Sequence, residues 1–117
     1  MIGARQEQNH PVAATYLKQA AKVGKKLVIM DPCRQDLMRH ATHSVIFNPS
    51  RDVALLNAML HVIIEEKLFD ADYVRSNVDR FEELKAKVKE FSPEAMAEVC
   101  SVSSEMLRDV ARTYASA

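Results

Sequence analysis

Four consecutive apolar residues, Leu27-Val28-Ile29-Met30, follow the basic pair Lys25-Lys26 and are closed by Asp31-Pro32. An apolar run without alternation fits a strand covered on both faces, as in a parallel sheet, better than a strand with one wet side. Upstream, Met1-Ile2-Gly3 reads as the last residues of a strand, and Gly3 to Asn9 as a polar loop. Asn9-His10-Pro11 then starts a helix, with Asn9 or His10 near the N-cap and Pro11 in the first turn. Val12, Ala13, Tyr16, Leu17, Ala20, Ala21 and Val23 give this helix an apolar stripe of mostly small residues, ended by Gly24.

Beyond the central strand, Arg34 to His40 has room for a short helical turn, and Ser44 to Phe47 reads as another short strand. Asn48-Pro49-Ser50-Arg51 is a turn. Asp52 then caps the clearest helix, VALLNAMLHVIIEEKL, with Val53, Leu56, Leu60, Ile63 and Ile64 on its core face and Glu65, Glu66 and Lys67 on the wet one. From Phe69 onward the pattern is helical with regular punctuation. Asp70, Asp79, Ser92 and Ser103 each precede a helix, and acids follow Ser92 and Ser103 in the next turn. The order predicts an α/β fold: a truncated Rossmann-like parallel sheet of two to three short strands with a helical C-terminal half. Residues 1–117 read as a single domain, 1–67 being an α/β nucleotide-binding-like part and 68–117 a helical extension of it.

Composition narrows the partners. Lys plus Arg and Asp plus Glu both number 16, so the chain has no net charge and no general attraction to nucleic acid or a membrane surface. A site for an anion must be local. The two cysteines, Cys33 and Cys100, form no CxxC or Cys/His cluster, so no zinc or iron–sulfur ligand set is expected. With no secretory leader at the start and apolar runs far shorter than a membrane span, the expected setting is cytoplasmic.

Right-handed crossovers would open the strand ends at Ile2, Met30 and Phe47 on one edge of the sheet, where ligands of open α/β sheets sit. The converging loops carry Gly3, Ala4 and Arg5; then Asp31, Cys33 and Arg34; then Ser50, Arg51 and Asp52. Arginines and helix N-termini suit phosphate oxygens, whereas carboxylates suit ribose hydroxyls or the N–H edge of a purine. The set describes a nucleotide-shaped site rather than a reaction centre. Each residue also has a plainer role: Asp52 as an N-cap, Asp31 as a turn residue before Pro32, and the arginines as solvated surface groups. Cys33 has no base beside it in sequence to make it a nucleophile, and Cys100 reads as core. His10 and His61 read as structural, and His40 and His43 are too loosely placed to suggest a metal.

Three segments, NHPVAATYLKQAAKVGKKLVIMDP, FNPSRDVALLNAMLHVIIEEKLFDADYV and FEELKAKVKEFSPE, carry a resemblance that runs almost end to end. In order and spacing the chain resembles the large alpha subunit of formate dehydrogenase and related molybdopterin oxidoreductases. The match lies in the domain that holds one guanine dinucleotide arm of the cofactor. In that family the first loop reads approximately Gly-Ser-Asn, here Gly3-Ala4-Arg5, and approaches the cofactor phosphates. The second reads Asp-Pro-Arg-Arg-Thr, here Asp31-Pro32-Cys33-Arg34-Gln35, and addresses the nucleotide. The third reads Pro-Gly-Thr-Asp, here Pro49-Ser50-Arg51-Asp52, and its acid faces the guanine. The resemblance thus implies molybdopterin guanine dinucleotide as cofactor, with Gly3, Arg5, Asp31, Arg34, Arg51 and Asp52 as its contacts. No catalytic residue or metal ligand is implied, because the family's cluster cysteines and its metal-ligating cysteine or selenocysteine lie in parts this chain does not contain. The implied role is that of a cofactor-binding piece of a formate dehydrogenase-like molybdenum or tungsten oxidoreductase, without turnover alone. Its partner would be the remainder of such a subunit. The alternative is a degenerate structural or protein-interaction module that has lost cofactor binding and self-dimerises through an open sheet edge.

Overall fold

Val28–Asp31 forms β1, which pairs in parallel with β2 (His43–Ile46), Val28 opposite His43 and Asp31 opposite Ile46. On the other side of β1, Ile2 makes a parallel bridge to Met30. The Met30 N–H donates to the Met1 carbonyl and the Gly3 N–H to the Met30 carbonyl, each at 2.9 Å. The central apolar run is therefore the middle line of the sheet, and the expected first strand is present as one bridge. This arrangement is α/β and truncated Rossmann-like. The computed structural model describes residues 1–116, which fall into two compact units, Met1–Pro49 and Ser50–Ala117.

In the first unit, the stretch expected as a polar loop contains one helical turn, α1 (Gln6–Asn9), followed by α2 (Pro11–Lys22) with His10 at its N-cap position. Gly24 closes α2. It takes φ +87° while its N–H donates to Ala21 and the Lys25 N–H to Ala20, the two bonds of a Schellman cap. The inward face of α2 is rotated from the predicted stripe. Ala14 is buried and Leu17 packs on Ile29, Leu37 and Met38, whereas Val12 and Tyr16 are 70% and 69% exposed. In an alanine-rich helix the few large apolar residues dominate the pattern, yet here the most deeply buried position is a small one. A 3₁₀ turn, Asp36–His40, carries the chain from β1 to β2 and buries Leu37 and Met38.

The second unit is helical: α3 (Asp52–Glu65), α4 (Ala71–Asn77), α5 (Phe81–Val88), α6 (Pro93–Cys100) and α7 (Ser104–Ala115). Helix α3 is its centre, packed on α5, α6 and α7. Its buried face is Leu55, Ala58, Met59 and Val62, not the predicted one, and Val53 is 71% exposed. This helix is apolar around most of its circumference, so periodicity alone does not select a face. Local caps follow expectation at three helices. Asp70 accepts from the N–H groups of Asp72 and Tyr73, Ser92 from Ala95 and Ser103 from Met106. Helix α5 departs from it: Arg80, at φ +58°, holds the cap position in place of Asp79 and its guanidinium grips Glu83.

A charge network ties α3, α6 and α7. Arg108 reaches Glu65 and Glu94 at 3.0 Å, and Arg112 reaches Glu66 at 2.8 Å. The hydrogen bond from Arg112 lowers the Glu66 carboxyl below its ordinary value, and the Glu94 carboxyl is lowered by its own backbone N–H and then by Arg108. Acids with depressed folded values stabilise above the ordinary glutamate range, near pH 4.3, and lose that contribution as pH falls through the folded values. Melting temperature followed by circular dichroism should accordingly hold steady from neutrality to about pH 5 and fall below about pH 4. Arg112→Ala should flatten the part of that fall due to Glu66; an unchanged acid limb would remove the network from the explanation.

Candidate functional site

The loop beyond β1 is organised by a buried carboxylate. Asp31 is 5% exposed, and one of its oxygens accepts from the Cys33 N–H at 2.8 Å, closing an Asx-type turn across Pro32. The other accepts from Gln35 Nε2 at 3.1 Å. The same amide nitrogen donates to the Ala4 carbonyl at 3.2 Å. Both partners are acceptors, so the orientation of the Gln35 amide is settled, and its Oε1 is left buried without a partner. One side chain thereby fastens the loop after Ile2 to the loop after β1.

That fastening brings Arg5 and Arg34 to one cavity of about 230 Å³, lined also by Glu7, Gln8, Gln35 and Asp36. A second, wider hollow of about 580 Å³ shares Arg34, Gln35 and Asp36 and continues to Arg39, Ser44 and Ile46. Neither Arg5 nor Arg34 has a carboxylate partner among the described residues. Two buried side-chain polar atoms lack a partner among those residues, Glu7 Oε1 and Gln35 Oε1, and both belong to side chains of the smaller cavity. Gly3 is exposed nearby at φ +58°, and a Cβ there would meet no atom within 4 Å. The backbone conformation, not crowding, favours glycine at this turn.

Arg51 and Asp52 belong to the second unit. Arg51 occupies the N-cap position of α3 without a side-chain cap bond, and Asp52 is the first helical residue, exposed. The expected cap at Asp52 is therefore absent. Ser50 turns the chain one residue earlier than the pattern suggests, at φ +62°, so Arg51 becomes the half-in residue. The Asp52 carboxylate remains at the positive end of the helix.

Cys33 is exposed, and its N–H serves the turn. Cys100 is buried, which pushes its thiol up and keeps it protonated. Among the described residues no group of three or more His, Cys, Asp or Glu side chains is placed to hold a metal ion. No described helix is long and apolar enough to cross a membrane.

The sequence alone singles out neither Glu7 nor Asp36, and Gln35 enters it only as the last residue of the second loop. Glu7 was hidden by reading its stretch as loop. Gln35 carried a usable signal, since an amide four residues after a strand-end aspartate is long enough to turn back onto it.

No family model matches the chain. Over all 117 residues it is 32% identical to the F420-dependent formate dehydrogenase subunit alpha of Methanocaldococcus jannaschii and 35% identical to formate dehydrogenase H of Escherichia coli. It spans only 17% and 16% of those two relatives. Among solved structures, acetylene hydratase from Pelobacter acetylenicus matches with a TM-score of 0.87 and 30% identity, covering 97% of this chain and 16% of that one.

Proposed function

Because the chain belongs to the family of formate dehydrogenase alpha subunits and related molybdopterin enzymes, we propose that it holds the nucleotide end of a molybdopterin guanine dinucleotide within a larger oxidoreductase. The observation that carries this reading is the pair Arg5 and Arg34, guanidiniums without a carboxylate partner among the described residues, on one cavity beyond the carboxyl end of β1. Such groups, on loops beyond the ends of parallel strands, suit phosphate oxygens. The group fits the residues present: the cavity offers two guanidiniums for phosphate oxygens. Arg5 and Arg34 take the phosphates, Gly3 leaves the backbone approachable, and Asp31 holds the loop in shape from beneath. When bound, the molybdopterin centre supplies the redox chemistry. This chain binds and orients, and it turns nothing over alone.

Calorimetric titration of the 117-residue chain with GDP tests this. Arg34→Ala should weaken binding about tenfold, as expected for one charge-assisted contact, and added salt should weaken the wild type in the same direction. Absence of GDP binding at millimolar concentration, or equal affinity in wild type and variant, would remove the reading.

A second reading, a structural or interaction module, is favoured by one observation. Val12, Tyr16 and Val23 lie exposed along α2, and β2 pairs only with β1 among the described residues. Light scattering across a concentration series would show a dimer on this reading and a monomer on the first.

A further inference from the structure

A cavity of about 400 Å³ lies within the helical unit, bounded by the C-terminal end of α3, the start of α4 and α5. That volume is in the range of sites for whole small ligands, about 300–1,000 Å³. One wall is apolar. Phe69 and Phe81 line it as a tilted pair with ring centroids 5.2 Å apart, and both residues are only half-buried. His61 stiffens the wall between α3 and α5, because its Nδ1 lies 3.0 Å from the Val88 carbonyl, an acceptor that requires the proton on that nitrogen. The rim is cationic. Lys67, Lys85 and Lys89 line it against a single acid, Glu65, whose carboxylate Arg108 already holds at 3.0 Å. Lys85 also reaches Glu82 at 3.8 Å, an exposed pair of small worth, while Lys67 and Lys89 have no carboxylate partner among the described residues. Lys67 is also conformationally unusual. Its N–H donates to Ile64 and the Leu68 N–H to Ile63, the same closure that ends α2, but there the left-handed residue is Gly24 and here it is a lysine at φ +54°. A Cβ disfavours that conformation, so the backbone at this ammonium is strained.

From these observations we infer that the cavity binds a small aromatic carboxylate, whose ring lies against Phe69 and Phe81 and whose charge meets Lys67 and Lys89. An ammonium is a point charge and sets no oxyanion geometry, so the selective part of the site is its apolar wall. A simple inorganic anion would leave that wall wet, and a neutral hydrocarbon would leave the lysines unmatched. The inference uses no residue of the Arg5 and Arg34 cavity and does not rest on the nucleotide reading.

The test is an NMR titration of the 117-residue chain with 2-naphthoate, with its neutral isostere 2-naphthamide, and with acetate, which carries the charge without the rings. 2-Naphthoate should bind with a Kd of about a millimolar, in keeping with its size, and move backbone amides within residues 61–89. 2-Naphthamide should bind about three- to fivefold more weakly, and acetate should move nothing at the same concentration. Lys67→Gly should lower the affinity for 2-naphthoate about threefold and leave that for 2-naphthamide unchanged. The same variant should raise the urea midpoint, since glycine suits φ +54°, so its loss of affinity is separate from any loss of fold. Equal affinities for 2-naphthoate and 2-naphthamide, or a Lys67→Gly chain that binds both as before, would overturn the anionic assignment. No binding of 2-naphthoate at millimolar concentration, or shifts centred outside residues 61–89, would overturn the site itself.

Discussion

Asp31→Ala is expected to lower the unfolding free energy of the chain by about 2 kcal/mol and to abolish nucleotide binding together. The stability loss comes from donors left behind in a nearly solvent-free place: the Cys33 N–H loses its acceptor, and the Gln35 amide keeps only the Ala4 carbonyl. Binding is lost for a geometric reason. Without the carboxylate, the turn over Pro32 has nothing to close on, and Arg34 is no longer held beside Arg5. Asp31→Asn should be intermediate, since the retained oxygen still accepts from Cys33 while the new NH₂ faces the Gln35 amide donor. Urea melts and GDP titrations on the same samples decide the matter. Unchanged stability with lost binding would mean that Asp31 touches the ligand directly and does not work through the loop.

Leu55→Ala should cost about 3 kcal/mol, the ordinary loss for truncating a fully buried leucine. Leu55 is buried on the face of α3 that meets the other helices. The informative comparison is Val53→Ala on the same helix, which should change stability by no more than about 0.5 kcal/mol because Val53 lies in solvent. Chemical denaturation of the two variants separates the buried face from the one the apolar pattern suggests. Similar losses at both positions would mean that the helix buries more of its circumference than the structure assigns.

These two positions also mark the limit of what could be read from the chain. The strand Val28–Asp31 was legible because burial on both faces leaves an uninterrupted apolar run. The caps at Asp70, Ser92 and Ser103 were legible because capping is decided within three residues. The faces of α2 and α3 were not. In α2 the most deeply buried residue is Ala14, which hydrophobicity barely registers, and in α3 most positions are apolar. At the site, the meeting of Arg5 and Arg34 on one cavity followed from the handedness rule for parallel connections. The amide that fastens them did not, because the bond from Gln35 to Ala4 spans 31 residues and no local pattern encodes it. The start of α3 failed for a subtler reason. A serine at φ +62° accepts a conformation usually left to glycine, which moves the cap from Asp52 to Arg51.

The most direct measurement is to map backbone-amide chemical-shift changes by NMR while GDP is added to the 117-residue chain. The largest changes are expected in two short stretches, residues 3–8 and 33–36, with little movement across α4 to α7. Changes confined to the helical unit, or spread evenly with no maximum at Arg5 and Arg34, would contradict a nucleotide site at the ends of this sheet.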